Sequence, residues 1–214
     1  RCRSLSNSLN GPLNGKLQSK MRGYITTNPI NPSLPPVNLT PEQALGIACM
    51  QNNVPRVHKL LQEVGINHIH GGVNQRFTGG SNPLSCAAEF GHVHLLKYLL
   101  KIEGIDINFS NVECPSGATA LFMAVQHDRV NVVKILNRAA GIDINQRCGG
   151  GTVLAKACQV GYTQIVKILL TNDEIDVNKT RPIGVAITNG HTKIVKLLLA
   201  NKTLDVNQTN DDGV

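Results

Sequence analysis

The chain has 214 residues, with no Trp, three Tyr and four Phe, and its apolar residues are chiefly Leu, Ile, Val and Ala. Its charge of +7 is unevenly held: residues 1–40 carry Arg1, Arg3, Lys16, Lys20 and Arg22 with no acid, while the remainder has 16 basic against 14 acidic residues, or +2. That near-neutral remainder argues against binding to a phosphate backbone, and no stretch approaches the roughly 18 apolar residues of a membrane span.

Residues 1–40 are rich in Asn, Ser, Pro and Gly and read as a disordered segment. They lack the continuous apolar run of a secretory signal, and Gly11, Pro12 and Gly15 interrupt the helix that a transit peptide needs. Position 1 is not Met, and Met21 is a candidate start. Thr40-Pro41-Glu42-Gln43 carries a capping-box signature where order should begin. Helices are expected near 41–51 and 55–63, followed by an irregular arm at His68-Ile69-His70.

From Asn82 the chain repeats itself. Asn82–Asn108, Thr119–Asn145, Thr152–Asn178 and Arg181–Asn207 each span 26 steps and close on Asp-(Ile/Val)-Asn. Gln43 to about His70 is a degenerate earlier copy, as expected of an end repeat with one face in water. Within the first full block, Asn82 is placed to cap a helix and Pro83 to occupy its first position. Leu84, Ala87 and Ala88 form a narrow apolar stripe, and Gly91 should break the helix. A second helix is expected from near Val93, with Leu95, Leu96, Leu99 and Leu100 at helical spacing. Gly104 is expected to stop it, leaving Ile105-Asp106-Ile107-Asn108 extended. One such pair of helices cannot bury its apolar face alone, whereas stacked copies can.

These residues resemble an array of ankyrin repeats. The family pattern T-P-L-H-x-A is partly matched by Asn82-Pro83-Leu84-Ser85-Cys86-Ala87 and Thr119-Ala120-Leu121-Phe122-Met123-Ala124. Its Gly-His turn is matched by Gly91-His92 and Gly190-His191, with Gly161-Tyr162 and Asp128-Arg129 as variants. The family's His is replaced by Ser85, Phe122, Ala155 and Gly184, and Arg181 stands where a capping Thr belongs, which weakens the last repeat. The resemblance implies an all-α repeat solenoid, helix-turn-helix repeats stacked with β-hairpin fingers. Three parts are expected: 1–40 disordered, 41–207 holding about five repeats with the first degenerate, and 208–214 opening a further, truncated repeat at Asp211-Asp212-Gly213-Val214. The fingers are the connectors, which shorten from 12 steps (His70 to Asn82) through 11 and 7 to 3 (Asn178 to Arg181).

Little in the chain points to catalysis. The six cysteines (2, 49, 86, 114, 148, 158) show no CxxC and no metal-ligand spacing. Cys49 and Cys158 fall at small core positions, so buried thiols in a reducing, cytoplasmic compartment are the reading, with Cys114 and Cys148 in successive fingers as the one candidate pair. His68 and His70 lack a third zinc ligand. Gly149-Gly150-Gly151-Thr152 lacks the Lys-(Ser/Thr) of a phosphate loop and reads as a tight turn. Lys97, Lys134, Lys167 and Lys196 recur at one phase of the outer helix, as a solvated face or a basic ridge for an acidic partner.

The resemblance implies a non-catalytic module, with neither cofactor nor metal, that binds a partner protein on a concave face of finger tips and inner helices. The family's contact positions fall on Ser81, Glu89 and Phe90; Ala118, Gln126 and His127; Gly151, Gln159 and Val160; and Thr180, Thr188 and Asn189. Arg76, Phe77, Phe109, Glu113 and Arg147 add finger candidates, with Phe77, Phe90 and Phe109 as exposed apolar anchors. A monomer is expected. The rival is an array that recruits substrate for an enzyme, or a bacterial effector, whose catalytic domain lies beyond Val214. The family resemblance also implies candidate hydroxylation at Asn207, Asn178 and Asn108, in that order. An asparaginyl hydroxylase of ankyrin arms favours a Leu eight residues earlier, and Leu199, Leu170 and Leu100 stand there, whereas Asn145 has Asn137. The alternative is that these Asn residues only hydrogen-bond across the hairpin turn.

Overall fold

The structure, a computed structural model, describes residues 41–63, 74, 82–110 and 118–207. Expectations placed on residues 1–40, on His68 and His70, and on 208–214 lie outside them, as do Arg76, Phe77, Ser81, Glu113 and Cys114.

The described helices come in pairs. They are α1 (Pro41–Met50) with α2 (Val54–Glu63), α3 (Pro83–Phe90) with α4 (Val93–Leu99), and α5 (Ala120–Gln126) with α6 (Val130–Leu136). After these come α7 (Val153–Val160) with α8 (Thr163–Leu169), and α9 (Pro182–Thr188) with α10 (Thr192–Leu199). The first member of each pair packs on the first member of the next, forming an inner layer, and the second members form an outer layer in the same order. A single core runs between the layers, with Leu45, Leu84, Leu121 and Leu154 from inside and Leu95, Val132, Ile165 and Ile194 from outside. Ala87, Ala88, Ala124, Ala157 and Cys158 are fully buried, and their small side chains let inner helices approach closely. This is an all-α repeat stack.

Local chemistry sets each inner helix. Asn82 Oδ1 accepts from Ser85 N (2.7 Å), and Ser85 Oγ accepts from Asn82 N (2.9 Å), closing a capping box. The Ser that displaces the family's His is therefore used. Thr119 and Thr152 hydroxyls cap α5 and α7 through Phe122 N and Ala155 N. Arg181 supplies no cap to α9, as expected, and it sits at φ 48° after Thr180 at φ 62°. The short connector forces both into left-handed conformations that cost L-residues energy.

The turn between layers is fixed by one residue. Gly161 has φ 88°, and a Cβ there would lie 2.6 Å from the ring of His191 on the next pair. That ring lies so close because His191 Nε2 meets Gln159 O (3.2 Å). His92 Nε2 likewise meets Met50 O (2.9 Å), and Arg129 Nε donates to Glu89 O (2.8 Å). A carbonyl only accepts, so both imidazoles carry their proton on Nε2.

Two expectations need correction. The outer helix ends at Leu99, not at Gly104, because Lys101 N and Ile102 N turn to the carbonyls three residues back, those of Tyr98 and Leu99. The arm is not extended either. Asn108 N donates to Asp106 Oδ1 (3.0 Å), an Asx turn that recurs at Asn145, Asn178 and Asn207. The side-chain amides then reach the neighbouring repeat rather than their own turn. Asn108 Nδ2 donates to Gly141 O (2.7 Å) while its Oδ1 accepts from Asp143 N (2.7 Å). Asn74, Asn145 and Asn178 make the same double contact with Gly104 and Asp106, Glu174 and Asp176, and Thr203 and Asp205. A row of amides ties the repeats edge to edge.

No strand forms among the described residues, so the β-hairpin fingers reduce there to one bridge between Cys148 and Gly151. Its two central glycines, Gly149 and Gly150, both have positive φ (58° and 87°), the geometry of the tightest hairpin turn.

Candidate interaction surface

After α1, each inner helix ends on two residues that the stack leaves exposed or half-exposed: Glu89-Phe90, Gln126-His127, Gln159-Val160 and Thr188-Asn189. They share one register, so they line up across four repeats. Phe90 (38%) and Val160 (40%) are exposed although apolar, and Gln126, Gln159, Thr188 and Asn189 are exposed around them. The other exposed large hydrophobics among the described residues, Ile187, Leu199 and Val206, all belong to the last repeat.

Several of these side chains are held in place. The Phe90 ring stacks on His92 at 5.7 Å and 18°. Glu89 Oε1 and His127 Nε2 approach to 3.9 Å across adjacent repeats, an ion pair when His127 is protonated. Lys156 Nζ donates to Gln159 Oε1 (3.3 Å). Thr188 Oγ1 and Asn189 Nδ2 donate to carbonyls four residues back, Gly184 O and Val185 O, which uses the threonine's hydroxyl proton and one of the two amide protons.

The finger positions divide. Arg147 is exposed beside the glycine turn, and Ala118 and Gly151 are half-buried. Thr180 is drawn into the stack, its hydroxyl 3.0 Å from that of Thr152. Phe109 is half-buried rather than an exposed anchor, because its N–H turns back to Asp106 O beside the arm. Sequence reading overlooked the Glu89–His127 contact and the reach of Arg129. The departure of Asp128-Arg129 from Gly-His was the available signal, since an arginine Nε can replace an imidazole N–H.

The cysteines are core residues. Cys49, Cys86, Cys148 and Cys158 are buried free thiols. Burial pushes Cys49 and Cys158 up to about 12, and burial, then the nearby Cys49 and Glu89, raise Cys86 well above the usual thiol value. Such thiols are poor nucleophiles. Cys148 lies 3.9 Å from the Thr119 hydroxyl inside the stack. Among the described residues, no group of three or more His, Cys, Asp or Glu is placed to hold a metal, and no helix is long and apolar enough to cross a membrane.

Paired helices capped by Asn or Thr, turned by glycine and tied edge to edge by Asn amides define a helical-hairpin solenoid. Residues 45–148 and 141–210 match the family described as ankyrin repeats, in three copies, and the chain belongs to the ankyrin-repeat family. Ankyrin repeats are generally protein-interaction modules and typically non-catalytic. No curated protein matches the chain.

Proposed function

We propose that the array binds a partner protein along the row of inner-helix ends. Phe90 and Val160 serve as apolar anchors, and Glu89, Gln126, His127, Gln159, Thr188 and Asn189 form the polar surround. Arg147 and Ala118 extend this surface towards the fingers, together with Arg76, Phe77, Ser81, Phe109 and Glu113. The carrying observation is the exposure of Phe90 and Val160 in a row whose other members are polar. Apolar surface left in water gains roughly 25 cal/mol per Å² when a partner covers it. The row is held on packed helices, so little ordering entropy is lost on association. Four unpaired buried thiols suit a reducing compartment.

The test is a partner co-purified with the full chain. Phe90→Ala should weaken that complex by about 1–3 kcal/mol, the range for an aromatic anchor, with a smaller loss for Val160→Ala. Phe77→Ala tests the finger contribution in the same assay. Unchanged affinity in all three, with loss on Lys97→Glu or Lys167→Glu, would overturn the reading.

A further inference from the structure

The outer helices carry a second row of exposed side chains. Lys97, Lys134, Lys167 and Lys196 stand on α4, α6, α8 and α10, each five residues after the residue that precedes its helix: His92, Arg129, Tyr162 and His191. Because α4 packs on α6, α6 on α8 and α8 on α10, equal register makes one continuous row. All four are exposed. Lys193, three residues before Lys196, falls on the same face of α10, and Lys101 and Arg138, just past the ends of α4 and α6, are exposed too.

The row contains one sign of charge. None of these four helices holds an Asp or a Glu. Apart from Glu89 on α3 and Asp128 in the turn before α6, the acids of these repeats sit past the outer helices, and Asp106, Asp143, Asp176 and Asp205 each use Oδ1 to accept from the arm backbone. A merely solvated helix face normally mixes signs, which relieves repulsion between like charges. Here the four lysines have no carboxylate partner among the described residues, whereas Glu89 and His127 pair on the inner layer.

We propose that this lysine row is a second docking surface, taken by an acidic, flexible peptide segment of a partner protein. Packed helices lie about 8–10 Å apart, so successive lysines are separated by roughly that distance. A peptide in the polyproline II conformation presents every third residue on one side at about 9.3 Å, so carboxylates at every third position fall in step with the row. Duplex DNA presents a charge about every 1.7 Å and rewards denser cationic contact. A lipid surface favours apolar wedges beside the cations, and the four helices expose one large hydrophobic residue, Leu199 at the end of α10, with none on α4, α6 or α8. Lysine's compact charge on a flexible stem suits a peptide without fixed geometry.

The experiment titrates the full chain with a labelled peptide of about twelve residues, with Glu at every third position, long enough to follow four lysines. Binding is expected at low salt and should weaken as salt rises. Changing all four lysines to Gln should weaken it by about tenfold or more, while Lys→Arg at all four and Phe90→Ala should leave it near the original value. Unchanged binding in the Gln variant overturns the proposal. So does failure of the peptide to bind while duplex DNA or phosphatidylserine vesicles do.

Discussion

Asn137 stands where the other repeats have Leu100, Leu170 and Leu199, and it is 4% exposed. Its Nδ2 donates to Ile168 O (3.0 Å) and Thr171 Oγ1 (3.3 Å), which fixes the amide's orientation and leaves Oδ1 buried with no partner. An unmet buried acceptor costs about 1–3 kcal/mol. Removing the side chain strands nothing: Ile168 O keeps the Thr171 hydroxyl (2.7 Å), and Asn172 Nδ2 keeps the backbone carbonyl of residue 137 (2.8 Å). Asn137→Leu should therefore raise stability by about 1 kcal/mol, read from the urea midpoint, and a fall would refute this account. The buried thiols make stability depend on pH. Cys49 and Cys158 are held protonated to about 12 in the fold against 9.0 ordinarily. Below pH 9 both states keep their protons and the stabilisation is complete. Between 9 and 12 the unfolded chain releases protons that the fold retains, so stability falls as pH rises. The loss of urea midpoint across that window should be shallower in a Cys49→Ala, Cys158→Ala chain, and an identical slope would rule the thiols out.

At the scale of elements, the last pair is the weakest. Only Pro182 and Ala186 are buried in α9, and only Ile194 and Leu198 in α10, whereas α5 buries five of its seven residues. The missing cap and the left-handed Thr180-Arg181 step add to this deficit. Hydrogen exchange should therefore be faster through α9, α10 and their arm than through 119–170, and equal protection would contradict the argument. Much of this was legible beforehand. Caps at Asn82, Thr119 and Thr152, breaks at Gly91 and Gly161, and paired Leu positions each act through neighbours a turn away, so sequence spacing reports them. The end of the outer helix was not legible. Gly104 drew attention, yet the turn that ends α4 is made by ordinary residues, Lys101 and Ile102, bonding three residues back. The partners of the Asn amides were hidden too, because a pattern within one block says nothing about which backbone atoms the next block presents. Phe109 looked exposed for a related reason, since its cover depends on how the arm folds back.

Across the whole stack, the amide row links every arm to its successor, and this orders how easily each Asn can be withdrawn. Asn108 and Asn145 each spend Nδ2 and Oδ1 on a neighbouring repeat that is itself buried between others. Asn178 makes the same two bonds, but to Thr203 O and Asp205 N, which belong to the weak last pair. Asn207 is exposed, and its side-chain amide has no such partner among the described residues. A modifying enzyme must draw the arm into its own site, and each inter-repeat hydrogen bond broken opposes that by about 1 kcal/mol. Local opening is cheapest where the packing is poorest. An asparaginyl hydroxylase acting on ankyrin arms should therefore modify Asn207 first, then Asn178, then Asn108. Asn145 should be last, because it is doubly bonded and carries Asn137 in place of the Leu eight residues earlier. The Asn137→Leu chain separates these two causes: it restores the Leu without freeing the amide, so modification of Asn145 should rise no higher than that of Asn108, which is bonded in the same way. Peptide mass spectrometry after co-expression with the hydroxylase gives the answer. An added oxygen on Asn145 with none on Asn178 or Asn207 would show that the amide row does not control access.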